Sequence, residues 1–107
     1  MSQKPLEKDV QRQVKGIYKQ FGCSVYDFSQ PRATMQTAGI PDLLIFHESS
    51  KTFWFMEVKR DGGKQTQNQL DFERRVQWCG GVYILGGVAE ALKALREIAG
   101  IKIHKEI

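Results

Sequence analysis

The sequence predicts an α/β protein, a mixed β-sheet flanked by helices in the order α-β-β-β-α-β-α. Three observations carry this: segments with apolar residues every three or four positions near both ends, short β-rich runs between Cys23 and Lys59, and a helix-length segment before a further apolar run. A three-stranded meander followed by a crossover helix and another strand gives a sheet with both antiparallel and parallel neighbours.

Leu6, Val10, Val14, Ile17, Tyr18 and Phe21 recur at helical spacing, with Pro5 near the first turn, and predict the first helix. After Gly22, the alternating run from Cys23 to Phe28 predicts a strand. Ser29 to Gly39 lacks periodicity and contains Pro31, so it reads as a long loop, a type often given to function. Asp42 to His47 and Thr52 to Lys59 predict two strands joined by the polar turn Glu48-Ser49-Ser50-Lys51. Asp61-Gly62-Gly63 then breaks the pattern. Helical spacing returns from Thr66 to Cys79, with Gln69, Phe72, Val76 and Cys79 on one stripe and Gly80-Gly81 as the stop. A short strand is expected from Gly81 to Leu85, a closing helix through Val88, Leu92, Leu95 and Ile98, and a short edge strand in Gly100 to Ile107.

At 107 residues, residues 1–107 are expected to form one domain, so any site must be built on its single core. A hydrophobic fraction of 41% and a charged fraction of 26% are those of an ordinary globular protein. No apolar run reaches bilayer-spanning length and the polar start leads into no signal-peptide core, so a cytoplasmic protein is expected, with no membrane partner. Cys23 and Cys79 belong to no paired motif and are expected to be reduced, buried thiols. The net charge of +4 suits a polyanionic partner without requiring one.

The chemistry concentrates in the central hairpin. Strand alternation puts Phe53, Phe55, Glu57 and Lys59 on one face of the second run, and Asp42, Leu44 and Phe46 on one face of the first. A regular hairpin centred between Ser49 and Ser50 sets Asp42 directly opposite Glu57. Two carboxylates so placed repel one another. A divalent cation, Mg²⁺ or Mn²⁺, relieves the conflict, because Mg²⁺ uses one or two protein carboxylates and fills its other positions with water and phosphate oxygens. The Val58 carbonyl is a candidate further ligand. Lys59 adds an ammonium group beside the metal.

Gly39-Ile40-Pro41-Asp42, Glu57-Val58-Lys59 and Thr66-Gln67-Asn68-Gln69 together resemble the motif series of the VRR-NUC family in the PD-(D/E)XK nuclease superfamily. The resemblance runs from about Glu7 to Leu95 and implies a restriction-endonuclease-like core. It also implies that Asp42 and Glu57 are metal ligands, that Lys59 and Gln69 are catalytic, and that Glu7 on the first helix completes the site. The bland alternative for Glu7 is to stabilise the helix dipole; for Gln69, to support another site residue. Small stand-alone members of viral type resemble Holliday-junction resolvases, which implies a homodimer acting on branched DNA.

Arg32, Arg60 and Lys64 are the cations expected to follow DNA phosphates, whereas Arg74 and Arg75 read as a solvated face. Leu70, Arg74 and Trp78 form a second stripe that is a candidate dimer contact. His47 and His104 lack metal-ligand spacing and are expected at the surface or an edge. Trp54 and Trp78 are expected in core or subunit contacts rather than under bases. The resulting expectation is a metal-dependent, structure-selective endodeoxyribonuclease. Its rivals are a repair nickase or flap exonuclease with the same centre, and a non-catalytic DNA-binding module on the same fold.

Overall fold

The apolar stripe of the first helix decides how the chain packs, because Val10, Val14 and Tyr18 are buried while the residues between them meet solvent. The computed structural model describes residues 6–29 and 37–103. In order they form α1 (Glu7–Gln20), β1 (Ser24–Asp27), β2 (Leu43–His47), a 3₁₀ turn (Glu48–Ser50), β3 (Thr52–Val58), α2 (Gln67–Trp78), β4 (Tyr83–Gly86) and α3 (Val88–Glu97). The sheet order is β1-β2-β3-β4, antiparallel across the first two pairs and parallel between β3 and β4. This is the mixed, helix-flanked sheet that the sequence predicts.

Alternation along the strands separates two faces. Leu43, Ile45, Trp54, Met56 and Val58 are wholly buried and form one core with α1 and α3. Within it Trp54 Nε1 donates to Tyr18 Oη at 3.1 Å, and that hydroxyl donates to Met56 Sδ at 3.3 Å, so both polar aromatics are satisfied. On the opposite face α2 packs Phe72 edge-on to Phe55, ring centroids 5.3 Å apart, and against Tyr83. The half of that face nearer β1 carries Phe46 in ring contact with both Tyr26 and Phe53, the last two about half exposed.

Three expectations are corrected. Ile101 to Ile103 is not a strand: Gly100 takes a left-handed φ of 72° and the Ile101 N–H bonds back to Leu95 O, turning the chain onto α3. The remainder of the expected edge strand, with His104, lies outside the described residues. His47 is buried, because it points to the core face opposite Thr52, where its Nδ1 shares a 2.7 Å hydrogen bond with Ser50 Oγ. Both cysteines are free thiols; Cys23 is buried, which pushes it up to about pKa 11, but Cys79 is exposed. It caps an α2 whose last turn stands clear of the sheet, with Trp78 88% exposed. Trp54 is a core residue, whereas Trp78 and the rest of its stripe are open to solvent. Among the described residues no helix is long and apolar enough to cross a membrane.

Candidate active site

The β2–β3 register fixes the geometry of the site. Leu43 pairs with Met56, Ile45 with Trp54 and His47 with Thr52, so continuing the register by one residue sets Asp42 opposite Glu57. Asp42 stands immediately before β2, anchored at three points. Its carbonyl accepts the Phe28 N–H at 2.7 Å, its Oδ2 accepts the Val58 N–H at 2.8 Å, and Pro41 before it is buried. In extended chain the N–H and C=O of one residue point the same way, so the Val58 carbonyl faces the Asp42 side as well.

Gly39 explains the first residue of the Gly-x-Pro-Asp segment. Its φ is +91°, and a Cβ there would meet the Asn68 carbonyl oxygen at 2.4 Å. The loop carrying Asp42 thus lies backbone to backbone against the first turn of α2. That turn is stapled by a capping box: Thr66 Oγ1 accepts the Gln69 N–H, and Gln69 Oε1 accepts the Thr66 N–H at 2.8 Å. The other end of the same amide, Gln69 Nε2, donates to Glu57 Oε2 at 2.9 Å. One side chain therefore starts the helix and aims a carboxylate, and both ends of its amide are engaged.

Glu57 is 2% exposed. Its Oε2 also lies 3.7 Å from Lys59 Nζ, while among the described residues no donor reaches the buried Oε1. The Asp42 and Glu57 carboxyls lie within hydrogen-bonding reach of each other. Burial and the Asp42 charge push Glu57 up to about 8, against a smaller lowering by Lys59. Burial also raises Asp42, opposed by the Val58 N–H. A buried and a half-buried acceptor facing each other are stabilised by a proton or a cation between them.

A divalent cation fits this donor set: hard oxygens only, one carboxylate oxygen without a donor, and an ammonium 3.7 Å from the other oxygen of Glu57. Among the described residues no three His, Cys, Asp or Glu side chains converge into a fuller ligand group. Glu7 is half-buried at the start of α1 and borders the cleft that opens beside Asp42. Its charge raises both carboxyls, yet it stands beside the pair rather than on it. Arg60 and Lys64 are exposed around the turn after β3, and Arg32 lies outside the described residues.

Thr66 opens the third motif but its capping role was not read from the sequence, although Thr-x-x-Gln ahead of a helix is a legible capping signal. Sequence reading also passed over a network at the end of β1. Asp27 accepts from Lys15 Nζ at 2.8 Å and from the Ser29 N–H, and Gln11 donates to Asp27 and Ser29. Burial alone would raise Asp27, but the bonds from Lys15 and Ser29 and the Lys15 charge outweigh it and lower the carboxyl to about 2. No motif marks such a contact between residues far apart in sequence.

No protein-family model matches the sequence, and no curated protein matches it. A solved structure described as a VRR_NUC domain is similar to it with a TM-score of 0.71 and 26% identity, over 85% of this chain and 95% of that one.

Proposed function

We propose that this chain, similar to a solved VRR_NUC domain, is a VRR-NUC nuclease of PD-(D/E)XK type and an endodeoxyribonuclease dependent on Mg²⁺ or Mn²⁺, with Asp42, Glu57 and Lys59 at its centre. The observation that carries the reading is the buried Glu57 Oε1, without a donor among the described residues, beside the half-buried Asp42 carboxyl. Asp42, Glu57 and the Val58 carbonyl would hold the cation, with Glu7 near enough to take part through water. When bound, the cation acidifies a water and offsets charge building on the phosphate. Lys59 supplies a three-donor point charge that orients the attacking water or a phosphate oxygen. Gln69 keeps Glu57 from swinging away. Arg60 and Lys64, exposed after β3, are assigned to the phosphates of the bound strand, and Arg32 to the same task.

Branched DNA, such as a four-way junction, is the proposed substrate, cut by a homodimer. A chain with one centre needs a second copy to cut two strands in concert. Recognition is expected through shape and phosphates, since no helix offers a clear base-reading set. The test is a panel of labelled duplex, flap, splayed and four-way-junction DNAs incubated with the protein and Mg²⁺. Paired symmetric nicks confined to the junction support the reading. Preferential trimming of flaps would replace it with the flap-nuclease role, and equal cutting of plain duplex would remove structure selectivity.

A further inference from the structure

Beside Asp42 a cleft of about 430 Å³ opens between α1 and the end of β1, and its wall is basic along one side. Lys8, Arg12 and Lys15 line it from successive turns of α1, at spacings of four and three residues, on the side of the helix away from the buried Val10–Val14 stripe. At the opposite end stand Glu7 and Asp42, the acidic end where the cation is proposed to sit. A second cleft of about 510 Å³, with Lys59 and Arg60 on its wall, flanks the other side of the α1 start. Only the first of the two clefts includes a member of the carboxyl pair, Asp42, among its lining residues.

We infer that the α1 cleft binds the backbone phosphates next to the scissile one, with Lys8 and Arg12 as the phosphate-binding cations and Lys15 as a positioning residue. The inference rests on the nuclease reading and adds a substrate path to it. Lys15 is already spent: it lies 2.8 Å from Asp27 and, with Gln11, fastens α1 to the end of β1, so it shapes the cleft. Lys8 is exposed and has no ion pair among the described residues. Among the described residues Arg12 pairs with the partly exposed Asp9, at 3.1 Å, a surface pairing of the kind that is exchanged at little cost. An incoming phosphate therefore finds two available cations on one wall. The strand it belongs to is drawn along α1 toward Asp42, because the scissile phosphate must sit at the cation while its neighbours, a few ångströms along the strand, need counter-charge of their own.

Affinity for a labelled DNA junction, measured by fluorescence anisotropy across a salt series with Ca²⁺ in place of Mg²⁺, tests this. Each neutralised phosphate contributes a slope of about −0.9 in log affinity against log salt for duplex DNA. Lys8→Gln/Arg12→Gln is expected to flatten the slope by between one and two and to weaken binding about tenfold at low salt. Lys8→Arg/Arg12→Lys should keep the parental slope, as should Lys93→Gln on α3. Parental binding with an unchanged slope in the double glutamine variant would overturn the inference and leave the nuclease reading standing. An equal loss in Lys93→Gln would also overturn it, because the effect would then be one of net charge. A parent that binds no DNA would overturn both.

Discussion

Glu57 carries two opposed demands, since a buried carboxylate is best neutral while a metal ligand must be charged. The conflict has a measurable sign. Without metal its carboxyl is raised from 4.5 to about 8, so across that window the folded chain keeps a proton that the unfolded chain has released. Stability of the metal-free protein should therefore fall as pH rises from about 4.5 to about 8. Calorimetry in chelator should find a lower melting temperature at pH 8 than at pH 6, and Glu57→Gln should flatten that dependence. A parent that grows more stable over this range would contradict the assignment. Asp42→Asn and Glu57→Gln are each expected to cut cleavage by more than about a hundredfold while leaving the fold intact, a loss of about 2.7 kcal/mol or more in transition-state stabilisation. The opposition of these two residues was legible because alternation and a symmetric turn fix a hairpin register. Oε1 standing without a donor was not legible, since it depends on where Gln69 and Lys59 end up in space.

α2 and the loop before β2 act as one unit because Gly39 has no side chain. Gly39→Ala must either push the Asn68 carbonyl away or leave the φ of 91°, and strain of this sort costs on the order of 1–3 kcal/mol. Chemical denaturation should register that loss, and cleavage should fall further than stability does, because the clash shifts Asp42 relative to Gln69. Thr66→Ala removes a cap alone, worth about 1 kcal/mol, and should leave cleavage within a few-fold of the parent. Gln69→Glu keeps an acceptor for the Thr66 N–H but sets a third carboxylate against Glu57. It should retain the helix by circular dichroism and lose cleavage; full activity would show that Gln69 serves only the helix. The element order was readable from local pattern, as every helix here has an apolar stripe, the first strand alternates and the next two are short β-rich runs either side of a polar turn. The tail and Cys79 were misread for the same physical reason: β-prone or apolar residues say nothing about whether a sheet edge or a packing partner lies within reach.

For the whole molecule, the sequence motifs lie at the ends of strands and at a helix start, so folding itself gathers the site at one end of the sheet. The basic excess of +4 is diffuse in the sequence, yet the fold places cations of α1 on the wall of a cleft that reaches Asp42, and Lys59 and Arg60 on the wall of another. The substrate path was hidden for that reason, because a row of α1 cations reads as a solvated helix face until β1 closes a cleft against it. Oligomeric state belongs to this scale too: analytical ultracentrifugation is expected to find a dimer, and a monomer that still makes paired junction cuts would contradict that reading. The most direct test asks whether the carboxyl pair takes a cation at all. Titration of the DNA-free protein with Mn²⁺ in a calorimeter at pH 7 should show binding with proton release in the parent, and loss of that binding in both Asp42→Asn and Glu57→Gln. Equal Mn²⁺ uptake by the parent and both variants would contradict the account.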